Sequence, residues 1–217
     1  MQEIIETFKS DPASLSGEYS GSGQFSEVNL TPCETYAIKH GNYGLSDGWL
    51  LYAAKLLTMP AEDRPHWSPA IHSLRVNLHN GTFVALLDAY EDYEDGPNEG
   101  GKVMDLRDML DSDHDCVEEC GCKRCTFMWE AAEYGTDDCV RLLAEIEDEC
   151  GVPLYFDIGG NCMWDGNNVI LNDPACVVGW QGAKKDQRYR DQIKAYVRKC
   201  AMNAPDLFIK GDSEWLS

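Results

Sequence analysis

The chain has 217 residues, 43% hydrophobic and 10% aromatic, with 38 acidic against 18 basic side chains, a formal net charge of −20 and a pI near 4.4. The apolar content is enough to bury a core, which excludes a disordered acidic tail, and the charge far exceeds the magnitude of roughly 2 to 8 that keeps a small domain soluble. Such a balance excludes binding to nucleic acid or to an anionic membrane through bulk electrostatics.

Residues 1–17 lack the basic-then-apolar pattern of an export signal, and no apolar run approaches the roughly 18 residues of a membrane span. A cytoplasmic location without membrane contact is therefore expected. In that compartment the ten cysteines read as reduced thiols, held in the core or on a metal.

In chain order, strands are expected over 25–30 and 36–39. Ser46 is placed to cap a helix over 47–57 that is apolar on nearly every side (Trp49, Leu50, Leu51, Tyr52, Leu56, Leu57) and stops before Pro60, the pattern of a buried helix. Over 74–88, Leu74, Val76 and Leu78 alternate before Asn80-Gly81, and Phe83, Ala85 and Leu87 alternate after it, which predicts a hairpin with a tight two-residue turn. Between 94 and 101 turn formers and charge replace any apolar period. This sets a division into an α+β N-terminal domain (1–93), a linker (94–102) and a helical, cysteine-rich C-terminal domain (103–217). Helices are expected over 103–110, 126–134, 136–150 and about 183–201, with short strands over 154–158 and 169–171 joined by a loop rich in Gly and Asn. No internal repeat is visible. The expected fold class is α+β, an N-terminal β-hairpin with a buried helix followed by a mainly helical half with a short β-hairpin.

The charge is uneven. Residues 1–93 carry 12 acids and 5 bases, residues 94–151 carry 18 and 5, and residues 152–217 carry 8 and 8. On the 136–150 helix Cys139, Leu143, Ile146 and Cys150 make an apolar stripe, whereas Asp138, Glu145 and Glu149 share another face with Asp148 beside it. Glu145 and Glu149 fall one turn apart, roughly 6 Å along the axis, on the scale of charge spacing along a nucleic-acid strand. These features point to a non-enzymatic acidic protein that binds a basic protein surface, in the manner of nucleic-acid-mimicking inhibitors of the phage or mobile-element anti-restriction and anti-CRISPR type. The expected partner is a nucleic-acid-binding enzyme, with no direct contact to nucleic acid. Its contacts would be Asp138, Glu145, Asp148 and Glu149, supported by Asp105, Asp108, Asp111, Asp113, Asp115, Glu118 and Glu119.

His114, Cys116, Cys120, Cys122 and Cys125 lie within twelve positions and offer the sulfur and nitrogen ligands that tetrahedral zinc prefers. Their spacing fits no zinc-finger pattern; Cys139 is a further candidate through tertiary contact, and buried apolar cysteine is the competing role. Zinc is accordingly the expected cofactor of the alternative, a zinc-dependent enzyme or zinc-stabilised regulatory protein. The run from Asp111 begins like a calcium loop, but Cys116 and Cys122 stand where the glycine and the bidentate glutamate belong.

On the last helix Tyr189, Ile193, Tyr196 and Cys200 form a core stripe, opposed by Lys184, Lys185, Arg188, Arg198 and Lys199, with Arg190 and Lys194 at the margin. This basic face is expected to answer the acidic middle of the chain, either within one molecule or across a homo-oligomer contact. Motifs of metalloproteases, phosphate-binding loops and serine hydrolases are absent. His66 near Arg64 could line a pocket, His72 reads as a surface strand residue, and Asp157 and Asp165 stand at strand ends where turn chemistry also explains them.

Overall fold

The apolar alternation around Asn80-Gly81 builds the centre of the molecule, as the computed structural model shows; it describes residues 2–22, 26–42, 48–92, 104–105, 135–157, 162–165, 167–178 and 187–210. In chain order the elements are α1 (Gln2–Ser10), β1 (Tyr19–Ser22), β2 (Ser26–Leu30), β3 (Tyr36–Asn42), α2 (Trp49–Thr58), β4 (Ile71–Asn77), β5 (Thr82–Asp88), β6 (Glu91–Asp92) and β7 (Met104–Asp105). There follow α3 (Thr136–Cys150), β8 (Leu154–Phe156), β9 (Cys162–Trp164), β10 (Val169–Leu171), β11 (Ala175–Val177), α4 (Gln187–Ala201) and β12 (Leu207–Lys210). The fold is mixed α+β, with strands of the N-terminal part forming a sheet and a short β-hairpin, β9 to β10, ahead of the C-terminal helix.

The main sheet has six strands in the order β1-β2-β3-β5-β4-β12. All neighbours are antiparallel except β12, which runs parallel to β4 with Leu207 opposite Leu74. Leu74, Val76, Leu78, Phe83, Ala85 and Leu87 are all buried in one cluster, so the sequence alternation marks the inward face. On the other face Phe8 of α1 packs on Ile38 and Leu86.

The turn differs from the expected two-residue form. Asn77 pairs with Thr82, so Leu78 to Gly81 make a four-residue loop in which Gly81 alone has a positive φ, 79°. The Asn77 side chain accepts hydrogen bonds from the N–H groups of His79 and Asn80, and this local capping holds the wider loop.

The helix α2 is buried along almost its whole surface, as its composition requires. Gly48 is the residue that precedes it; Ser46, the expected cap, lies outside the described residues. The faces of α3 and α4 also follow their periodicity: Cys139, Leu143, Ile146 and Cys150 are buried on one, Ile193, Tyr196, Val197 and Cys200 on the other. A helix over 103–110 is not found where the chain is described, because Met104–Asp105 is a strand paired antiparallel with β8. Two residues beside an open strand edge follow the edge rather than their helix propensity. The segment 126–134 lies outside the described residues. Strands β8 and β10 do not pair with each other: β8 lies between β11 and β7, and β10 lies beside β9, which pairs in turn with β6.

The linker expected at 94–102 is also outside the described residues. Elements from its two sides share the six-stranded sheet, through β4 and β12, and a single buried cluster runs from Trp49 to Leu207. Among the described residues no helix is long and apolar enough to cross a membrane.

Candidate functional site

Two polar centres stand out from the apolar core. The first is built on Lys39, in the middle of β3, with only 2% of its side chain exposed. Its Nζ lies 2.6 Å from Asp173 Oδ2 and 4.6 Å from the centre of the Trp49 ring. The buried helix α2 brings Asp173 there: Trp49 Nε1 donates to the Asn172 carbonyl (2.9 Å) and the Tyr52 hydroxyl donates to the Leu171 carbonyl (3.1 Å). These bonds pin the connection between β10 and β11 beneath β3. Asp157 follows β8 on the same side, its N–H donating to the Pro174 carbonyl and its carboxylate 3.8 Å from Cys176 Sγ. One hydrogen of the Lys39 ammonium meets Asp173; among the described residues no acceptor meets the other two. Asn172 Oδ1 is likewise buried without a hydrogen-bond partner. A buried ammonium bordered by polar groups that are not all satisfied is a common basis for ligand sites.

The second centre is a cleft of about 930 Å³ where β3 begins, β4 begins and β5 ends, closed from the side by residues 61–70. His72 is not a surface residue. Its Nε2 lies 2.7 Å from Asp88 Oδ1 on the neighbouring strand, and the Tyr36 ring meets it edge-on with centroids 5.5 Å apart. An ionised carboxylate only accepts, so Nε2 carries the hydrogen of this bond. Arg64 is turned to the backbone, donating to the carbonyls of Met59 (3.3 Å) and Ile71 (3.1 Å). The Tyr90 hydroxyl accepts from the Ala70 N–H at 2.7 Å. Burial, with the charges of Asp88 and Asp165, pushes that phenol up to about 12 against the lowering effect of the Ala70 bond. His66 lines the cleft, as its neighbourhood in the sequence suggested.

Four of the six acidic residues of α3, Asp138, Glu145, Asp148 and Glu149, lie on one exposed stripe together with Arg141, whereas Asp137 and Glu147 are half-buried. Several are answered within the molecule. Glu149 is clamped between Lys55 (2.6 Å) and Lys199 of α4 (2.9 Å), Glu145 lies 3.5 Å from Lys55, and Asp138 lies 2.7 Å from Arg141. Hydrogen bonds from Lys55 and then Lys199 hold the Glu149 carboxyl below its ordinary value, opposed only by slight burial. Burial alone would lower Lys55, but Glu149 and Glu145 raise it on balance. The basic helix thus meets the acidic one intramolecularly through Lys199.

Asp105 lies in β7; Asp108, Asp111, Asp113, Asp115, Glu118 and Glu119 lie outside the described residues. So do His114, Cys116, Cys120, Cys122 and Cys125, the proposed zinc ligands. Cys139 is buried in α3, and among the described residues no group of three or more His, Cys, Asp or Glu is arranged to hold a metal ion. No protein-family model matches the chain, and no curated protein is detectably similar to it.

Sequence inspection passed over Lys39 and the His72–Asp88 pair. The signal for Lys39 is a lone cation directly after Ala37 and Ile38, in a strand whose apolar neighbours predict burial. Its partner stands 134 positions away and leaves no local trace.

Proposed function

We propose that the chain is a non-enzymatic binding protein whose partner presents a basic protein surface. One observation carries this: 38 acids stand against 18 bases, so even if every base were paired one for one within the chain, 20 acids would be left without a basic partner. On α3 no cation among the described residues pairs with Asp148, and Glu145 keeps 63% of its side chain exposed. Residues 94–134 add 12 acids against 4 bases. Glu149, by contrast, serves the packing of α3 against α2 and α4. The contact acids are Asp148, Glu145 and Asp138, whose pair with Arg141 is itself exposed, with the acids from Asp105 to Glu119. The test is charge reversal, Glu145→Lys with Asp148→Lys. Binding to a basic partner captured at low salt should weaken and lose part of its salt dependence, because exposed charges act through a screened field. Unchanged capture by the doubly reversed protein would contradict the assignment.

A second reading rests on Lys39. Its buried ammonium is held by Asp173 and the Trp49 ring, and among the described residues no further acceptor meets it, an arrangement that would suit a polar ligand and make the Lys39–Asp173 pair a ligand-binding or catalytic centre. A ligand found by thermal-shift screening that stabilises the wild type but not Lys39→Met would support it. Equal stabilisation of both would count against it.

A further inference from the structure

The cleft between β4, β5 and residues 61–70 has chemistry of its own, and it uses none of the α3 carboxylates. We infer that it receives the cationic side chain, arginine or lysine, of a peptide segment, with Asp88 as the recognising carboxylate, Asp165 as a second negative charge and the rings of Tyr36 and Tyr90 as walls. This extends the reading of a basic partner by naming where one of its side chains is held.

The groups around the cavity give the sign of the ligand. Arg64, the cation in the wall, is occupied by the Met59 and Ile71 carbonyls. His72 occupies only Oδ1 of Asp88, so among the described residues Oδ2 is open to a donor, and the imidazole holds the carboxylate at a fixed angle. The Asp165 carboxylate is held by the N–H groups of Asn167 and Asn168 and by the Asn168 side-chain amide, and against the raising effect of burial these hydrogen bonds lower its carboxyl below the ordinary value. Two fixed negative charges beside aromatic rings favour a cation that contacts both. A volume of about 930 Å³ is at the upper end of small-molecule sites and far more than a guanidinium alone fills. The cation therefore enters attached to a larger body, as it does on a peptide.

The test is an NMR titration of the full chain with the peptide Gly-Gly-Arg-Gly-Gly, read at the His66 and His72 imidazole resonances, with the citrulline peptide and methylguanidine as comparisons. The arginine peptide should shift both resonances. The citrulline peptide should not, and methylguanidine should bind more weakly than the arginine peptide. Asp88→Asn should weaken binding about tenfold or more, the loss expected when a charge-assisted hydrogen bond is removed. Ala61→Trp, which narrows the cleft and leaves the carboxylates in place, should also weaken it, so a folding defect in one variant does not decide the outcome. Equal shifts with citrulline, wild-type affinity in both variants, or no shift with millimolar arginine peptide would overturn the inference. The Glu145→Lys, Asp148→Lys protein should bind the peptide normally. If it loses the basic partner but keeps the peptide, the cleft stands and acts apart from the α3 surface; if the wild type captures a basic partner but not the peptide, the cleft assignment alone fails.

Discussion

Replacing Asp173 with Asn should destabilise the protein more than replacing Lys39 with Met, although both changes remove the same ion pair. The asymmetry follows from exposure. Asp173 keeps 26% of its side chain in contact with water, whereas Lys39 keeps 2%. Asp173→Asn leaves an ammonium that is desolvated and has lost its counter-ion, a situation that costs about 3–5 kcal/mol. Lys39→Met leaves a carboxylate that water still reaches and fills the same volume with an apolar chain, which keeps the loss to about 1–3 kcal/mol. In a chain of this length each kcal/mol moves the melting temperature by about 2–4 °C. The expected falls are about 6–20 °C for Asp173→Asn and about 2–12 °C for Lys39→Met. The double variant should be more stable than Asp173→Asn alone, since it no longer buries an unpaired charge. Urea denaturation of the four proteins, with a common slope, closes the cycle. If Asp173→Asn is the milder change, or the two effects add to within about 0.5 kcal/mol, Lys39 and Asp173 are not coupled as the geometry requires.

Three further outcomes are expected. The Glu149 carboxyl is depressed in the folded state, so its contribution is present above the unfolded carboxylate range and is lost as pH falls through the folded value. Glu149→Gln should therefore lower stability by about 1 kcal/mol or less at pH 7, and the difference should vanish in acid; a difference that persists in acid would show that the lysine clamp is not its source. Cys33 is exposed, and its thiol is lowered to about 7, first by the hydrogen bond with Thr31. Its alkylation by iodoacetamide, followed by peptide mass mapping, should reach half-maximal rate near that pH and move upward in Thr31→Ala, whereas an ordinary thiol midpoint in the wild type would refute it. Gly135 has φ 80°, and a Cβ there would collide with the Trp67 ring at Cδ1. Gly135→Ala should cost about 2–4 kcal/mol in chemical denaturation, left-handed strain added to overpacking; a near-neutral result would mean that the start of α3 does not press on Trp67.

What could be read from the sequence is what local pattern encodes. The apolar stripes of α2, α3 and α4 and the alternation of β4 and β5 each repeat within a few residues, so burial follows from period alone. The four-residue loop at Leu78 to Gly81 was not readable, because the side chain of Asn77, outside the Asn-Gly pair, decides it. The strand β12 pairs in parallel with a strand over a hundred residues earlier, and Met104–Asp105 is too short to show any period. The candidate sites divide in the same way. The acidic stripe of α3 was visible as a face, but the lysines that clamp Glu149 come from α2 and α4, and only tertiary packing places them there. His72 and Asp88 are 16 positions apart on paired strands, and their meeting depends on the hairpin register.

The central claim, an acidic protein that docks on a basic surface, is tested most directly by capture on three immobilised forms at low and high salt: the wild type, the Glu145→Lys, Asp148→Lys protein, and Glu149→Gln. Basic proteins identified by mass spectrometry should be retained by the wild type at low salt and released at high salt. They should be held more weakly by the charge-reversed form and kept by Glu149→Gln, whose carboxylate is spent on Lys55 and Lys199. Equal retention by the charge-reversed form, or retention by the wild type that ignores salt, would contradict the account.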